Sequence, residues 1–254
     1  MNFRTQADAR TWFEKHRAHV RRVLNRYLFP RSCAVCSRLI DESEPPRLGD
    51  GICGHCLALL PFRDMCQPVF PVLRETGQTI SELDSSQHLL LATAVCHYLP
   101  PVPTLMARLK FHDALYLANP LGELMAYAAH RAFPEYDPQL IVSVPLHPTR
   151  EKERGYNQAL ELANVMSRVL GIPHEVDAAY RIRNTARQTE LDDESARQFN
   201  LKGAFAVSPE QVRAKRILLI DDVLTSGATI FTLARQLTKY GAIDVRAVVF
   251  ASGR

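Results

Sequence analysis

The segment from Ile217 to Thr229 constrains the fold of this chain more than any other part of the sequence. Four apolar residues, typical of a buried parallel strand, run directly into two adjacent aspartates, Asp221 and Asp222. A short Thr/Ser/Gly loop follows and opens a predicted helix. Because open α/β sheets bind ligands beyond the carboxyl ends of their strands, this segment predicts a binding site at that edge.

The two halves of this predicted site favour different chemical groups. The loop offers backbone N–H groups, hydroxyls and the positive end of a helix dipole, which suit a phosphate. The carboxylates can accept hydrogen bonds from the two hydroxyl groups of a diol. The chain contains no G-x4-G-K-[ST] sequence, so the loop is not of the Walker type. The candidate residues are the acidic pair, Asp221 and Asp222, and the loop residues Thr225, Ser226, Gly227, Ala228 and Thr229.

From about residue 88 onward, apolar strands alternate with amphipathic helices. Strands are predicted at Leu89–Tyr98, Leu140–Val144, Ile217–Ile220 and Val245–Ala251. Helices are predicted from Asn119-Pro120 to about His130, over Gln158–Leu170 before Gly171, and over Thr229–Tyr240 before Gly241. This alternation predicts an α/β fold with a mostly parallel sheet flanked by helices.

Four of the six cysteines follow the spacing of a zinc site. Two C-x2-C pairs separated by 16 residues can each direct two thiolates at one tetrahedral ion, and the four residues are Cys33, Cys36, Cys53 and Cys56. A disulfide is a poor alternative in a reducing cytoplasm, and four unrelated thiols are the other alternative. We expect a closed, structural zinc module, with Cys66 and Cys96 as buried thiols outside it.

Composition excludes several classes of protein. The chain has 254 residues, of which 46% are hydrophobic and 23% are charged, a profile far from that of disordered proteins. It has no apolar run of the ~20 residues that a membrane helix needs, and its N-terminus lacks the apolar region of a signal peptide. We therefore predict a cytoplasmic protein. The predicted regions are a basic helix at 1–29, the zinc module at 30–66, a linker at 67–87 and the α/β domain at 88–254.

The positive charge of the chain is concentrated at its N-terminus. Residues 1–28 contain seven basic and two acidic residues, whereas the whole chain has a net charge of +4. This basic arm suggests contact with nucleic acid or with a protein partner. Its aromatic residues Trp12, Phe13 and Tyr27 could stack on bases, but they also fit the apolar stripe of a helix docked on the body.

The segment around the two aspartates resembles the phosphoribosyl pyrophosphate (PRPP) motif of the type I phosphoribosyltransferases. In that family, four apolar residues and two acidic residues precede a T-[TS]-G-x-T loop. The resemblance implies that Asp221 and Asp222 hold the ribose 2′- and 3′-hydroxyls, and that the loop holds the 5′-phosphate of Mg²⁺-bound PRPP. Some relatives with this motif bind PRPP or nucleotides only as regulators.

Further segments narrow the resemblance to the ComF family, whose members pair a zinc ribbon with a phosphoribosyltransferase-like domain and are linked to DNA uptake in competent bacteria. The similarity covers about residues 27–251, including the four cysteines and the Leu109–Phe111 stretch. It implies a pyrophosphate loop within residues 143–158 and a mobile lid from Arg181 onward. The implied pyrophosphate and lid residues are Arg150, Lys152, Arg154, Arg181 and Arg183.

Several roles stay open at this point. The lid residues are mixed with acidic ones, so a solvated, salt-bridged segment is as compatible with the sequence as a phosphate clamp. Lys110 fits either a surface position or one near the diphosphate or acceptor, and His147 fits a structural role better than that of a general base. No residue identifies an acceptor, and the oligomeric state is open.

Three functional hypotheses remain. The first is a competence-type protein that binds PRPP and whose zinc module and basic arm contact single-stranded DNA or a DNA-uptake helicase. The second is an active phosphoribosyltransferase of nucleotide metabolism, which transfers phosphoribosyl from PRPP to an unknown acceptor. The third is a PRPP-sensing regulator without catalysis. The same residues serve all three hypotheses.

Overall fold

A computed structural model describes residues 32–40, 51–67, 91–111, 114–183 and 203–253. The predicted basic helix at 1–29, almost all of the predicted linker at 67–87 and most of the predicted lid lie outside these residues. In the described part of the chain, no helix is both long enough and apolar enough to cross a bilayer.

A four-stranded parallel sheet forms the centre of the fold. Its strand order is β1-β6-β5-β2, and a separate antiparallel hairpin is formed by β3 and β4. The strands are β1 (Leu91–His97), β2 (Leu140–Ser143), β3 (Ala179–Arg181), β4 (Phe205–Val207), β5 (Arg216–Leu224) and β6 (Asp244–Ser252). Since β5 is paired on both edges and covered on both faces, its residues from Ile217 to Ile220 are almost completely buried, which explains the unbroken apolar run before Asp221.

Helices cover both faces of the sheet. They are α1 (Gly54–Ala58), α2 (Val102–Phe111), α3 (Ala118–Ala132), α4 (Pro148–Arg154), α5 (Gln158–Leu170), α6 (Pro209–Val212) and α7 (Ala228–Lys239), with short 3-10 helices at Leu115–Leu117 and Val176–Ala178. Leu218 and Ile220 of β5 join the core shared with α2, α3 and α5. Ile217 and Leu219 join the opposite core, shared with α7 and the hairpin. The mostly parallel, helix-flanked α/β fold predicted from the sequence is confirmed.

Local capping chemistry explains which helix boundaries were predictable. Helix α5 begins after Asn157, whose side-chain oxygen accepts a hydrogen bond from the Ala159 N–H at 3.1 Å, and it ends at Gly171 with a φ of +69°. The predicted cap at Asn119 is wrong, because α3 already begins at Ala118. The Oδ1 of Asn119 instead accepts a hydrogen bond from Arg168 Nη2 of α5 at 2.8 Å.

The segment expected as a pyrophosphate loop contains a short helix, α4, in its middle. Helix α4 begins after His147, whose Nδ1 accepts a hydrogen bond from the Thr149 N–H at 3.3 Å. It ends at Gly155, whose φ of +84° reverses the chain. His147 thus caps a helix, in keeping with the structural role expected for it. Neither helix α2 nor the β3–β4 hairpin was predicted.

Short segments hydrogen-bond to both outer edges of the sheet. Along β1, the Arg63 N–H donates to the Val95 carbonyl at 2.9 Å and the His97 N–H donates to the Pro61 carbonyl at 2.8 Å. Along β2, the Ile141 N–H donates to the Pro173 carbonyl at 2.8 Å. The segment at 61–63 therefore joins the cysteine-bearing region directly to the sheet.

The cysteine-bearing region also shares the core of the α/β domain. Buried Ile52 and Leu60 belong to the same hydrophobic cluster as Val95 and Leu105. Gly51 has a φ of +116°, and a Cβ there would lie 3.0 Å from the Tyr116 ring, so this close approach requires glycine. Of the two remaining thiols, Cys96 is buried as expected, but the prediction for Cys66 is wrong because it lies exposed beyond α1.

Candidate functional site

A cleft of about 340 Å³ lies at the carboxyl end of β5. It brings together residues that are distant in the sequence, from β5, the β5–α7 loop, α2, α4 and the hairpin. Among the predicted site residues, its walls include Asp221, Asp222, Thr225, Gly227, Thr229, Arg150, Arg154 and Arg181. Lys110 also lines the cleft, which agrees with a position near the ligand and not with a surface position.

The acidic pair lies within β5, which continues through both residues to Leu224. Because successive residues of a strand point to opposite faces, Asp222 lies on the face of Ile220 and Asp221 on the face of Leu219. The Asp222 N–H donates a hydrogen bond to Asp221 Oδ1 at 2.9 Å. Burial and the neighbouring charge of Asp222 raise the pKa of Asp221 to about 8. Asp221 therefore retains its proton to a higher pH than an ordinary aspartate does.

Lys110 is the partner of Asp222. Its Nζ lies 2.6 Å from Asp222 Oδ2, and it comes from the last turn of α2, which covers the same face of the sheet. Burial acts to lower the pKa of Lys110, but the charge of Asp222 and its hydrogen bond outweigh this effect and raise it. No local signal in the sequence identifies this pair, because only the packing of α2 on β5 brings the two residues together.

The loop after β5 ends in a left-handed glycine at the start of α7. Gly227 adopts a φ of +82° immediately before α7, and its carbonyl accepts the Phe231 N–H at 2.9 Å. Ser226 is buried, and its Oγ accepts a hydrogen bond from the Ala228 N–H at 3.3 Å. The hydroxyl of Ser226 thus closes the turn, whereas Thr225, Gly227 and Thr229 line the cleft.

Three of the five basic residues expected near a diphosphate line the cleft. Arg150 and Arg154 come from α4 and Arg181 from β3. Burial, together with the positive charges of Arg150 and Arg154, lowers the pKa of Arg181. Such crowding of guanidinium groups suits a ligand with several negative charges. Lys152 and Arg183 are exposed and are not among the residues that line the cleft.

Hydrogen bonds fix the walls around these charged groups. Arg154 Nη1 donates to Gln158 Oε1 at 3.1 Å, which orients the guanidinium group. The amide of Asn157 donates to the Val144 carbonyl at 3.0 Å. The Tyr156 hydroxyl donates to the carbonyl of Leu109. The α4–α5 junction is therefore tied both to the end of β2 and to the helix that carries Lys110.

The four cysteines of the two C-x2-C pairs converge as the sequence predicts. Their sulfur atoms all lie within 4.8 Å of one another, so the cluster could hold a metal ion. The N–H groups of Val35 and Cys53 each donate to Cys33 Sγ at 3.4 Å. Burial acts to raise the pKa of Cys33, but backbone hydrogen bonds outweigh this effect and lower the pKa to about 6. Burial and the neighbouring cysteines raise the pKa of Cys56 in the same cluster, so the convergence of the four sulfurs is what fits a tetrahedral metal site.

Comparisons with known proteins agree with this architecture. The sequence model of the phosphoribosyl transferase domain matches residues 157–254. The chain is 31% identical over 219 residues to Competence protein F of Haemophilus influenzae, covering 84% of this chain and 87% of that protein. It is 35% identical over 217 residues to the DNA utilization protein YhgH of Escherichia coli K12, covering 84% and 87% of the two chains.

Among solved structures, the chain is similar to the glutamine PRPP amidotransferase of B. subtilis in complex with ADP and GMP. The TM-score is 0.39 and the identity is 16%, over 56% of this chain and 30% of that one.

Proposed function

Since this chain belongs to the competence protein F family, we propose that it is a PRPP-binding protein that acts in DNA uptake or utilisation. The supporting observation is that Asp221 and Asp222, the loop before α7 and three arginines meet in one cleft. The ligand class is a ribose 5-phosphate that carries a diphosphate, or a nucleotide that shares its ribose phosphate.

Each part of the cleft has a role in this proposal. The carboxyl groups of Asp221 and Asp222 accept hydrogen bonds from the two ribose hydroxyls. The backbone N–H groups of the loop, with Thr225 and Thr229, hold the 5′-phosphate at the positive end of α7. Arg150, Arg154 and Arg181 hold the diphosphate. Carboxylate oxygens are ligands that suit Mg²⁺, and the ion neutralises diphosphate charge when bound.

Transfer of the phosphoribosyl group is a second candidate function. The arginine cluster favours it, because donors fixed around a leaving diphosphate stabilise the charge that develops as the bond to C1′ breaks. Release of pyrophosphate from PRPP with a panel of nucleobase acceptors tests this function. If PRPP binds but no pyrophosphate is released, PRPP serves as a regulatory ligand and not as a substrate.

We also propose that the four-cysteine cluster holds a structural Zn²⁺ ion, since four thiolates are the donor set of closed zinc sites. We also propose a cytoplasmic location, because free thiols suited to metal binding persist in a reducing environment. The zinc module and the basic N-terminal arm are the surfaces proposed to contact single-stranded DNA or a DNA-uptake helicase.

Thermal unfolding with PRPP and Mg²⁺ tests the proposed ligand. Ligand at a hundredfold excess over its Kd adds about 2.7 kcal/mol of stability, so the melting temperature should rise. The Asp221→Asn/Asp222→Asn double variant should lose this rise. Asp137→Asn, which removes an exposed carboxylate paired with Arg216 at the start of β5, should keep it. No rise for the wild-type protein at millimolar PRPP would exclude the proposal.

Binding of single-stranded oligonucleotides tests the proposed nucleic-acid contact. Fluorescence anisotropy at several salt concentrations should show affinity that falls steeply with salt, because phosphate contacts release counterions. Replacing Arg17, Arg21 and Arg22 with Gln should reduce the slope of log K against log[salt] by about 0.7 for each lost contact. If the wild-type protein does not bind even at ~50 mM salt, the arm instead serves a protein partner.

A further inference from the structure

The ion pair between Lys110 and Asp222 occupies the acidic side of the cleft. Lys110 Nζ lies 2.6 Å from Asp222 Oδ2, and their side chains are 25% and 13% exposed. In the described part of the chain, the ammonium group of Lys110 is the contact of this buried oxygen, which has no other hydrogen-bond partner there. The ammonium group of Lys110 thus neutralises the buried charge of Asp222.

The position of Lys110 is fixed by the helix that carries it. Leu105, Met106 and Leu109 of α2 are almost completely buried in the core against β5. The carbonyl of Leu109 accepts a hydrogen bond from the Tyr156 hydroxyl. Lys110 therefore projects from an anchored helix end, and its ammonium group is available at Asp222 before any ligand binds.

Asp222 lines the cleft, and without the lysine its carboxylate would be a ligand that suits a divalent cation. A cation can approach Asp222 only by displacing the ammonium group or by sharing its oxygen. Repulsion between like charges at such short distances in a protein environment is strong. The lysine thus competes with free metal ions for the same carboxylate.

We propose that Lys110 is a positioning residue that serves as a built-in counter-cation and excludes free divalent metal ions from the acidic pair. The metal then enters the cleft only together with an anionic ligand. The inference deepens the proposed function, because it states the form in which the metal arrives. It does not require that PRPP be the ligand, since it concerns the ligand-free cleft.

The test measures Mn²⁺ binding to the full-length, zinc-loaded protein by electron paramagnetic resonance, with no phosphoribosyl compound present. Lys110→Met removes the ammonium group and retains most of the side-chain length. We expect this variant to bind Mn²⁺ at least about tenfold more tightly than the wild-type protein. Lys110→Arg should behave as the wild type does, because it keeps the positive charge.

Two control variants test whether the gain in Mn²⁺ affinity comes from the contact between Lys110 and Asp222. Lys239→Met removes an exposed lysine at the end of α7 and should leave Mn²⁺ binding unchanged. Adding Asp222→Asn to Lys110→Met should abolish the gained affinity, since the carboxylate is then absent. Lys110→Gln gives a second neutral variant if Lys110→Met does not fold, as judged by its melting profile.

Equal Mn²⁺ affinity in the wild-type and neutral variants would overturn the inference, as would tight Mn²⁺ binding that does not depend on Asp222. A separate titration with PRPP distinguishes this outcome from failure of the proposed function. If the neutral variants gain Mn²⁺ affinity while the wild-type protein does not bind PRPP, the inference holds and the ligand proposal fails.

Discussion

The cysteine cluster brings four thiols together, and the cleft contains two neighbouring carboxyl groups. The negative charge of these groups is compensated in a different way in each region. Four sulfur atoms converge within 4.8 Å in the first region, an arrangement suited to a metal ion. In the second region, the protein itself supplies a cation, because Lys110 forms an ion pair with Asp222. The first region could hold a metal ion, whereas the second pairs its carboxylate with a lysine and leaves open space beside the pair.

This difference separates a structural role from a binding role. A tetrahedral thiolate site has no coordination position left for a substrate. The cleft instead keeps arginines, loop N–H groups and threonine hydroxyls around an open volume. Changes in the cysteine cluster should therefore affect folding, and changes in the cleft should affect ligand binding and pH dependence.

The largest effect should follow from Cys36→Ser. Zinc contributes about 10 kcal/mol of binding free energy in zinc-finger peptides, so loss of the ion should cost several kcal/mol of stability here. Metal analysis should find about one zinc per wild-type chain and almost none in the variant. Circular dichroism should show a much lower melting temperature for the variant. Cys66→Ser, which changes an exposed cysteine outside the cluster, should retain both the metal and the stability.

The acidic pair should make stability depend on pH. The pKa of Asp221 is about 8 in the folded protein and 3.8 as the ordinary value. The folded state thus keeps a proton that the unfolded state has lost, so this stabilising contribution is complete below pH ~4 and disappears as the pH rises towards 8. The melting temperature of the wild-type protein, relative to that of Asp221→Asn, should fall between pH 5 and pH 8. Parallel profiles for the two proteins would contradict the raised pKa.

Within helix α4, two basic residues should differ in their effect on pyrophosphate binding. Arg154 lines the cleft, whereas Lys152 is exposed outside it. A hydrogen bond to a charged group contributes about 1.5–3 kcal/mol, so Arg154→Gln should weaken pyrophosphate binding by about 10- to 100-fold in calorimetry. Lys152→Gln should change it little. Equal losses for the two variants would indicate a general effect of charge.

The smallest effect should come from Tyr156→Phe. This change removes the hydrogen bond to the Leu109 carbonyl, which ties the α4–α5 junction to the helix that carries Lys110. We expect a loss of about 1 kcal/mol in the free energy of unfolding by urea. Tyr127→Phe alters an exposed tyrosine of α3 and should have no measurable effect. A loss of equal size in both variants would show that the Tyr156 contact adds nothing.

Features that depend on local chemistry were predictable from the sequence. The bounds of α5 are as predicted, because Asn157 caps its start and Gly171 allows the left-handed turn at its end. The four cysteines converge as their spacing predicts. The resemblance to the ComF family, confirmed by the curated relatives, rests on short contiguous strings: the segments at 143–158 and 181–205, the four cysteines and Leu109–Phe111, beside the motif at 217–229.

Features that depend on tertiary packing were not predictable. Asn119 has the chemistry of a helix cap, but α3 begins one residue before it and its side chain pairs with Arg168 of α5. Helix α2 has no Ser, Thr, Asp or Asn directly ahead of Val102, and its apolar face is buried in the core that it shares with the sheet. The contact between Lys110 and Asp222 depends on this docking, so no pattern within either segment indicates it.

The segment at 61–63 has a consequence for the solubility of the protein. It hydrogen-bonds to the outer edge of β1, the first strand in the sheet order. An uncovered edge strand exposes backbone groups that can pair with another chain and start aggregation. If the neighbouring cysteines hold the proposed metal ion, its removal should loosen this segment and uncover the edge of β1. We therefore expect chelation to drive the protein towards insoluble assemblies, with light scattering as the measurement.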